Sequence, residues 1–183
     1  MQEVSINKSM KLSQHFTLGE LCKTKHVTED GNIPSHVSIE NLKRICENWL
    51  EDLRYSYNML YVHSGVRPQS KVAGDCTLAP DPGAAPETEE AIVINSGYRS
   101  PSVNPLAGGA KTSNHLSGCA VDIRCAGKEQ MIRYASILLD IADGTKQDYD
   151  ELLLEQHGNV CWLHFAVRPP SQGNRRKIDF LKG

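Results

Sequence analysis

Two segments of the chain carry apolar residues at the three- and four-residue spacing of a helix. Residues 39–53 show this spacing behind Ser38, which predicts an amphipathic helix that begins near Ser38 and ends at about Tyr57. Residues 128–142 show the same pattern and predict a second helix. The stretch Thr17-Leu-Gly-Glu20 has the spacing of a capping box, so we expect a short helix to begin there.

Four other segments have the length and the β-branched or aromatic content of strands. They are residues 91–95, 119–125, 149–155 and 159–167, and the last two are joined by a tight connection that predicts a hairpin. Because helices and strands are segregated along the chain, we predict an α+β fold. Its small antiparallel sheet would have helices packed on one face.

The length of 183 residues fits one domain. We expect a loose leader over residues 1–13 and a polar, loosely packed tail over residues 169–183. Residues 63–90 are rich in Gly, Pro and Ala with little periodicity, which predicts an inserted surface loop.

Strand periodicity separates two polar side chains from the core. Successive side chains of a strand point to opposite faces of the sheet. In residues 119–125 and in residues 160–167 every odd position is apolar, whereas Asp122 and His164 occupy even positions. Both side chains are therefore predicted to lie on the face of the sheet that does not pack against the helices.

Two further polar residues are expected on the same face. Glu155 lies on the first strand of the predicted hairpin, and His115 precedes the strand that carries Asp122. The flexible Ser117-Gly118 pair would let the chain turn back over the sheet and bring His115 to that face.

A pair of histidines and an aspartate are suitable ligands for zinc, which keeps a fourth position open for water in catalytic sites. His115, Asp122 and His164 would be the ligands. Glu155 would then accept a proton from the attacking water, which the metal makes more acidic. Glu151, on the same side of its strand, is the alternative base.

Less specific interpretations stay open. Asp122 could be an edge carboxylate, and His164 could be a histidine hydrogen-bonded to backbone. The cysteines Cys119, Cys125 and Cys161 offer a competing metal site, but they lie on apolar faces, where a thiolate is costly. We expect the six cysteines of the chain to be buried free thiols.

Composition excludes several partners. The net charge of −2 gives no electrostatic reason to expect binding to nucleic acid or to an anionic membrane. No apolar run is long enough to span a membrane, and the N-terminus lacks the apolar region of a secretory signal. We therefore expect synthesis in the cytoplasm, no membrane insertion and a monomer.

The motifs carry a family resemblance. "SNHLSGCAVDI", residues 113–123, resembles the S-x-H-x-x-G-x-A-x-D signature of the zinc D-Ala-D-Ala carboxypeptidase and L-Ala-D-Glu endopeptidase family. "SGYRSP" and the strand pair "YDELLLEQHGNVCWLHFAV" resemble two further elements of that family. "FTLGELCKT", with the helix that follows it, resembles the N-terminal part of the branch found in phage cell-wall peptidases.

The resemblance implies the fold shared by these peptidases and the Hedgehog signalling domain, with one Zn²⁺ bound by His115, Asp122 and His164. It also implies Glu155 as general base. Some branches carry the catalytic acid three residues before the last histidine, but Cys161 stands there in this chain, so the base must come from the neighbouring strand.

The resemblance further implies substrate contacts. Arg99 matches an arginine that pairs with a substrate carboxylate or steadies the polarised carbonyl, a role that suits its planar fork of donors. We expect Ser113 and Trp162 to contact substrate as well.

The function that the resemblance implies is hydrolysis of peptide bonds in peptidoglycan stem peptides, as a carboxypeptidase or as an endopeptidase. The alternative is a zinc-containing cell-wall-binding module without catalysis. Without a signal, the protein would reach the wall by lysis or with a holin-type partner, as the phage enzymes suggest.

Overall fold

A computed structural model describes residues 7–62, 89–169 and 171–183 of the chain. The described helices are α1 (Leu18–Leu21), α2 (His36–Ile45), α3 (Glu51–Tyr57), α4 (Val103–Leu106) and α5 (Lys128–Thr145). The described strands are β1 (Ile94–Ser96), β2 (Ala120–Cys125), β3 (Glu151–His157), β4 (Val160–Ala166) and β5 (Lys177–Lys182). Nearly all of the predicted inserted loop, residues 63–90, lies outside the described residues.

The strands form one five-stranded sheet in the order β1-β2-β4-β3-β5. The first four strands pair antiparallel, as the sequence predicted, whereas β5 pairs parallel to β3. The fold is therefore α+β with a mixed sheet. The β3–β4 hairpin turns at Gly158, whose φ of 57° lies in the left-handed region that favours glycine.

Both chain ends are more ordered than the sequence suggested. The expected loose tail is wrong over Lys177–Lys182, because these residues add β5 to the edge of the sheet. All six side chains of β5 are exposed, so backbone pairing rather than burial holds this strand. The expected loose leader is also wrong at Leu12, whose side chain is buried in the core.

The long predicted helix is confirmed, with different ends. Ser35 rather than Ser38 caps α2, because its hydroxyl accepts a hydrogen bond from the backbone N–H of Ser38 at 3.1 Å. Two π-helical turns, Cys46–Leu50 and Asn58–Val62, flank α3 and extend the helical region to Val62.

The core lies between this helical region, α5 and one face of the sheet. Odd-numbered residues of β2 and β4 belong to it, among them Val121, Ile123, Leu163 and Phe165. The ring of Phe165 packs against Trp49 with centroids 5.0 Å apart. The strand periodicity thus identified the core face correctly, and it leaves the even-numbered side chains on the other face.

Candidate metal centre

The pairing of β2 with β4 places Asp122 directly opposite His164. Nδ1 of His164 lies 2.9 Å from Oδ1 of Asp122, and Nε2 of His115 lies 3.2 Å from the same oxygen. All three residues are buried, and one possible ligand atom from each lies within 4.8 Å of the others. The structure therefore brings together the three residues predicted as zinc ligands.

A short 3-10 turn, Asn114–Ser117, carries His115 to the sheet. Ser113 caps this turn by accepting a hydrogen bond from the His115 N–H at 3.3 Å. Gly118 ends it with a φ of 69°, and an added Cβ there would collide with the backbone of Ser38. The Ser-Gly reversal inferred from the sequence is thus required by both conformation and space.

In a neutral His115 ring, the hydrogen bond made by Nδ1 decides which of the two nitrogens carries the proton. Nδ1 of His115 lies 2.5 Å from the carbonyl oxygen of Gly97, which can only accept, so Nδ1 must donate. In a neutral ring Nε2 then presents a lone pair to the Asp122 carboxylate. Two acceptors that face each other at this distance call for a cation between them.

His164 has a similar outer partner. Its Nε2 lies 3.6 Å from Oε2 of Glu151. Burial alone would lower the pKa of His164, but the hydrogen bond with Asp122 and the nearby Glu151 carboxylate outweigh burial and raise it to about 9. Asp122 shows the converse balance: burial would raise its pKa, but His115 and His164 hold it well below its ordinary value.

This donor set fits Zn²⁺. Two imidazole nitrogens and one carboxylate oxygen are ligands that zinc prefers, and three protein ligands leave a position for water or substrate. The Gly97 carbonyl and the Glu151 carboxylate are the partners that metal-binding histidines usually have on their second nitrogen. A cation at the centre would also replace the protons that the buried acceptors otherwise need.

Two glutamates of β3 lie on the same face of the sheet as His164. Glu151 accepts hydrogen bonds from Asn114 at 3.0 Å and from Arg175 at 2.9 Å. Its pKa is lowered to about 2, mainly by the contact with His164. Glu155 is half-buried, and burial raises its pKa above the ordinary value although nearby His164 and Arg99 oppose that shift.

Arg99 lies at the edge of the centre. Its Nε donates to the Ser96 hydroxyl at 2.8 Å, and its guanidinium forms an ion pair with Oδ2 of Asp122, the oxygen that faces away from the histidines. Arg99 therefore contacts a predicted metal ligand. Trp162, half-buried, lies opposite Glu155 in the register of β3 and β4.

One part of the site, the ion pairs around Asp150, was not predicted from the sequence. Asp150, fully buried, accepts hydrogen bonds from Arg175 at 2.8 and 2.7 Å and from Asn114 at 2.9 Å, and pairs with Arg168 at 3.0 Å. Arg175 also reaches Glu151. Adjacent acidic residues at the start of a strand were visible in the sequence, but no pattern linked them to arginines of the tail.

The competing thiol site is not supported. Cys119, Cys125 and Cys161 are buried free thiols, and burial raises the pKa of Cys125 to about 12. Among the residues that the structure describes, the one group suited to holding a metal ion is His115, Asp122 and His164. The buried-thiol prediction is confirmed for the five described cysteines; Cys76 lies outside them.

In the described part of the chain, none of the helices combines the length and the hydropathy that a membrane crossing needs.

Comparisons with known proteins agree with this site. Residues 86–148 match the family model described as peptidase M15. A comparison with curated proteins finds no match. The matched segment contains Arg99, His115 and Asp122, and β4, which follows it, sets His164 against Asp122. M15 peptidases depend on zinc, and the buried donor set could hold such an ion. The match over this segment, together with the clustered donors, supports a zinc metallopeptidase of the M15 type.

Proposed function

We propose that the protein hydrolyses peptide bonds in the stem peptides of peptidoglycan. The observation that carries the proposal is the pair of half-buried carboxylates on β3, of which one is held by partners and the other is free to exchange a proton beside a three-donor metal centre. The match of residues 86–148 to the peptidase M15 family model supports peptidoglycan as the substrate.

In this proposal Nε2 of His115, Oδ1 of Asp122 and Nδ1 of His164 hold Zn²⁺, since these are the atoms that the outer hydrogen bonds leave facing one another. When bound, zinc supplies a Lewis acid that polarises the scissile carbonyl and makes water a stronger nucleophile.

Glu155 is the proposed general base. It accepts a proton from the attacking water and delivers that proton to the nitrogen of the leaving amine as the peptide bond breaks. Burial raises the pKa of Glu155, which brings the carboxylate closer to the pH at which it can both take and return a proton. No hydrogen bond from Asn114 or Arg175 holds it, in contrast to Glu151.

Glu151 is the proposed positioning residue. Its carboxylate faces Nε2 of His164 and is itself fixed by Asn114 and Arg175. A carboxylate in this position keeps the histidine ring oriented and the opposite nitrogen available to a metal. We therefore assign proton transfer to Glu155 and not to Glu151.

Arg99 is the proposed stabiliser of developing negative charge. A guanidinium has five N–H donors, so the contacts with Ser96 and Asp122 leave others for a substrate oxygen. Trp162 offers a half-exposed ring beside Glu155. Ser113 caps the turn that carries His115, so a contact with substrate would be additional to that structural role.

The test is incubation of the zinc-loaded protein with purified peptidoglycan and with defined stem peptides, with and without a chelator, followed by mass spectrometry. Chelator-sensitive loss of terminal D-Ala would identify a carboxypeptidase, and chelator-sensitive cleavage inside the stem would identify an endopeptidase. Absence of cleavage by zinc-loaded protein would contradict the proposal and favour a non-catalytic wall-binding module.

A further inference from the structure

A cavity of about 310 Å³ lies next to the metal centre, on the side of Arg99. One wall is the segment after α1, with Lys23, Lys25 and His26, and the other wall comes from β1 and the residues after it, with Ser96 and Arg99. Arg99 belongs to both places, because it lines the cavity and also pairs with Asp122. The cavity therefore opens beside the reacting groups.

The two walls are tied together by buried polar contacts. The side chain of Asn32 donates to the carbonyl of Cys22 at 2.9 Å and to that of Tyr98 at 3.2 Å, and it accepts from the N–H of Ser100 at 2.7 Å. The N–H of Tyr98 also donates to the carbonyl of Leu21 at 2.7 Å. These bonds join the backbone around Lys23 to the backbone around Arg99 and so fix the shape of the cavity.

The ionisable side chains that line the cavity are all basic. Its described lining includes Lys23, Lys25, His26 and Arg99 and contains no carboxylate. Within the part of the chain that the structure describes, neither lysine forms an ion pair, whereas the cations on the far side of the centre, such as Arg175, are paired with acids. The chain as a whole has a net charge of −2, so the positive charge of the cavity is a local excess.

We propose that this cavity binds a carboxylate of the substrate that is separate from the scissile peptide group, an inference that rests on the proposed peptidase function. Stem peptides carry free carboxylates, and an ammonium group can donate hydrogen bonds to a carboxylate from many directions. The volume is near the lower end of ligand pockets, which run from about 300 Å³ upwards, so it suits one acidic side group rather than a whole peptide.

The decisive experiment combines charge changes on the protein and on the substrate. Stem peptides in which one free carboxylate at a time is amidated are compared with the parent peptide. For the native protein, amidation of one particular carboxylate is expected to raise KM roughly tenfold without changing kcat, since two exposed ion pairs each account for a few-fold in affinity.

The variant Lys23→Gln/Lys25→Gln is expected to raise KM for the parent peptide by a similar factor, and to leave KM for that amidated peptide unchanged. Lys23→Arg/Lys25→Arg should restore most of the affinity. The matched control is Lys128→Gln/Lys146→Gln, which removes the same charge at the two exposed ends of α5 and should change neither constant. An equal effect of the lysine change on all peptides, or no effect on any, would overturn the subsite.

Failure of the proposed function would be distinguishable. If no stem peptide is cleaved, the peptidase proposal fails. The subsite is then tested separately, by using NMR to monitor binding of the same peptides to zinc-loaded protein. The subsite is supported if the backbone amide signals of residues 23–26 shift with the parent peptide but not with the peptide in which that one carboxylate is amidated. Shifts that are absent, or the same for parent and amidated peptides, would overturn it.

Discussion

Glu151 and Glu155 lie on the same face of β3, two strand positions apart, and their surroundings move their pKa values in opposite directions. Glu151 is fixed by His164, Asn114 and Arg175, and its pKa falls to about 2. Glu155 is half-buried and receives no hydrogen bond from Asn114 or Arg175, and burial raises its pKa although His164 and Trp162 oppose that shift. Neighbouring carboxylates whose environments drive their pKa values apart commonly have different roles. On this basis we propose a positioning role for Glu151 and proton transfer for Glu155.

The largest expected effect comes from Glu155→Gln. This change keeps the shape of the side chain but removes its basicity, so kcat should fall by about 10²–10⁴-fold, the usual contribution of a general base. Bound zinc, measured by elemental analysis, should be unchanged because Glu155 is not among the clustered donors. Retained turnover would place the base elsewhere.

The second expected effect concerns Glu151 and should appear in metal affinity. Glu151→Ala removes the acceptor that faces Nε2 of His164, and loss of such an outer partner costs roughly 10–100-fold in metal affinity. Glu151→Gln keeps an acceptor oxygen and should cost about tenfold at most. A competition titration with a chromophoric chelator measures both.

The same variant separates the two glutamates kinetically. At saturating zinc, Glu151→Gln should retain turnover within a few-fold of the native value, because proton transfer is assigned to Glu155. Abolished turnover at full zinc occupancy would reverse the two assignments.

A smaller effect is expected from Arg175→Gln. Arg175 holds both Asp150 and Glu151, but its side chain is about half exposed, so the free energy of unfolding should fall by only about 1 kcal/mol. Zinc affinity should fall a few-fold through Glu151. Arg176→Gln is the matched control, because Arg176 pairs with Asp143 and Asp148, which contact no residue of the metal centre. Equal zinc affinity in both variants would show that Glu151 keeps its position without Arg175.

The smallest effect concerns pH. Burial would raise the pKa of Asp150, but hydrogen bonds from Arg175 and Asn114 outweigh burial and lower it. A carboxylate with a lowered folded pKa stabilises the protein above its unfolded pKa of about 3.9, and this stabilisation is lost as pH falls through the folded pKa. The stability difference between the native protein and Arg175→Gln should therefore be full near neutral pH and shrink below about pH 4, as chemical denaturation at several pH values would measure. A difference that stays constant with pH would assign the stabilisation to packing.

Local periodicity was enough to predict much of this molecule. Alternation along β2 and β4 identified the core face and set Asp122 and His164 on the other face, because side-chain direction in a strand repeats every two residues. The Ser-Gly pair predicted the reversal that carries His115, because glycine alone adopts its backbone conformation without strain.

Other features depend on contacts between distant parts of the chain. The strand β5 carries the apolar residues Ile178, Phe180 and Leu181, but none of its side chains is buried, so its place depends on backbone pairing with β3. The different states of Glu151 and Glu155 follow from Arg175, Asn114 and burial, none of which is encoded near them in β3. The sequence by itself was thus enough to predict that His115, Asp122 and His164 meet on the open face of the sheet. Only the tertiary structure decided which glutamate is fixed and which cations line the cavity beside Arg99, because pKa values and cavity charge are set by neighbours in space.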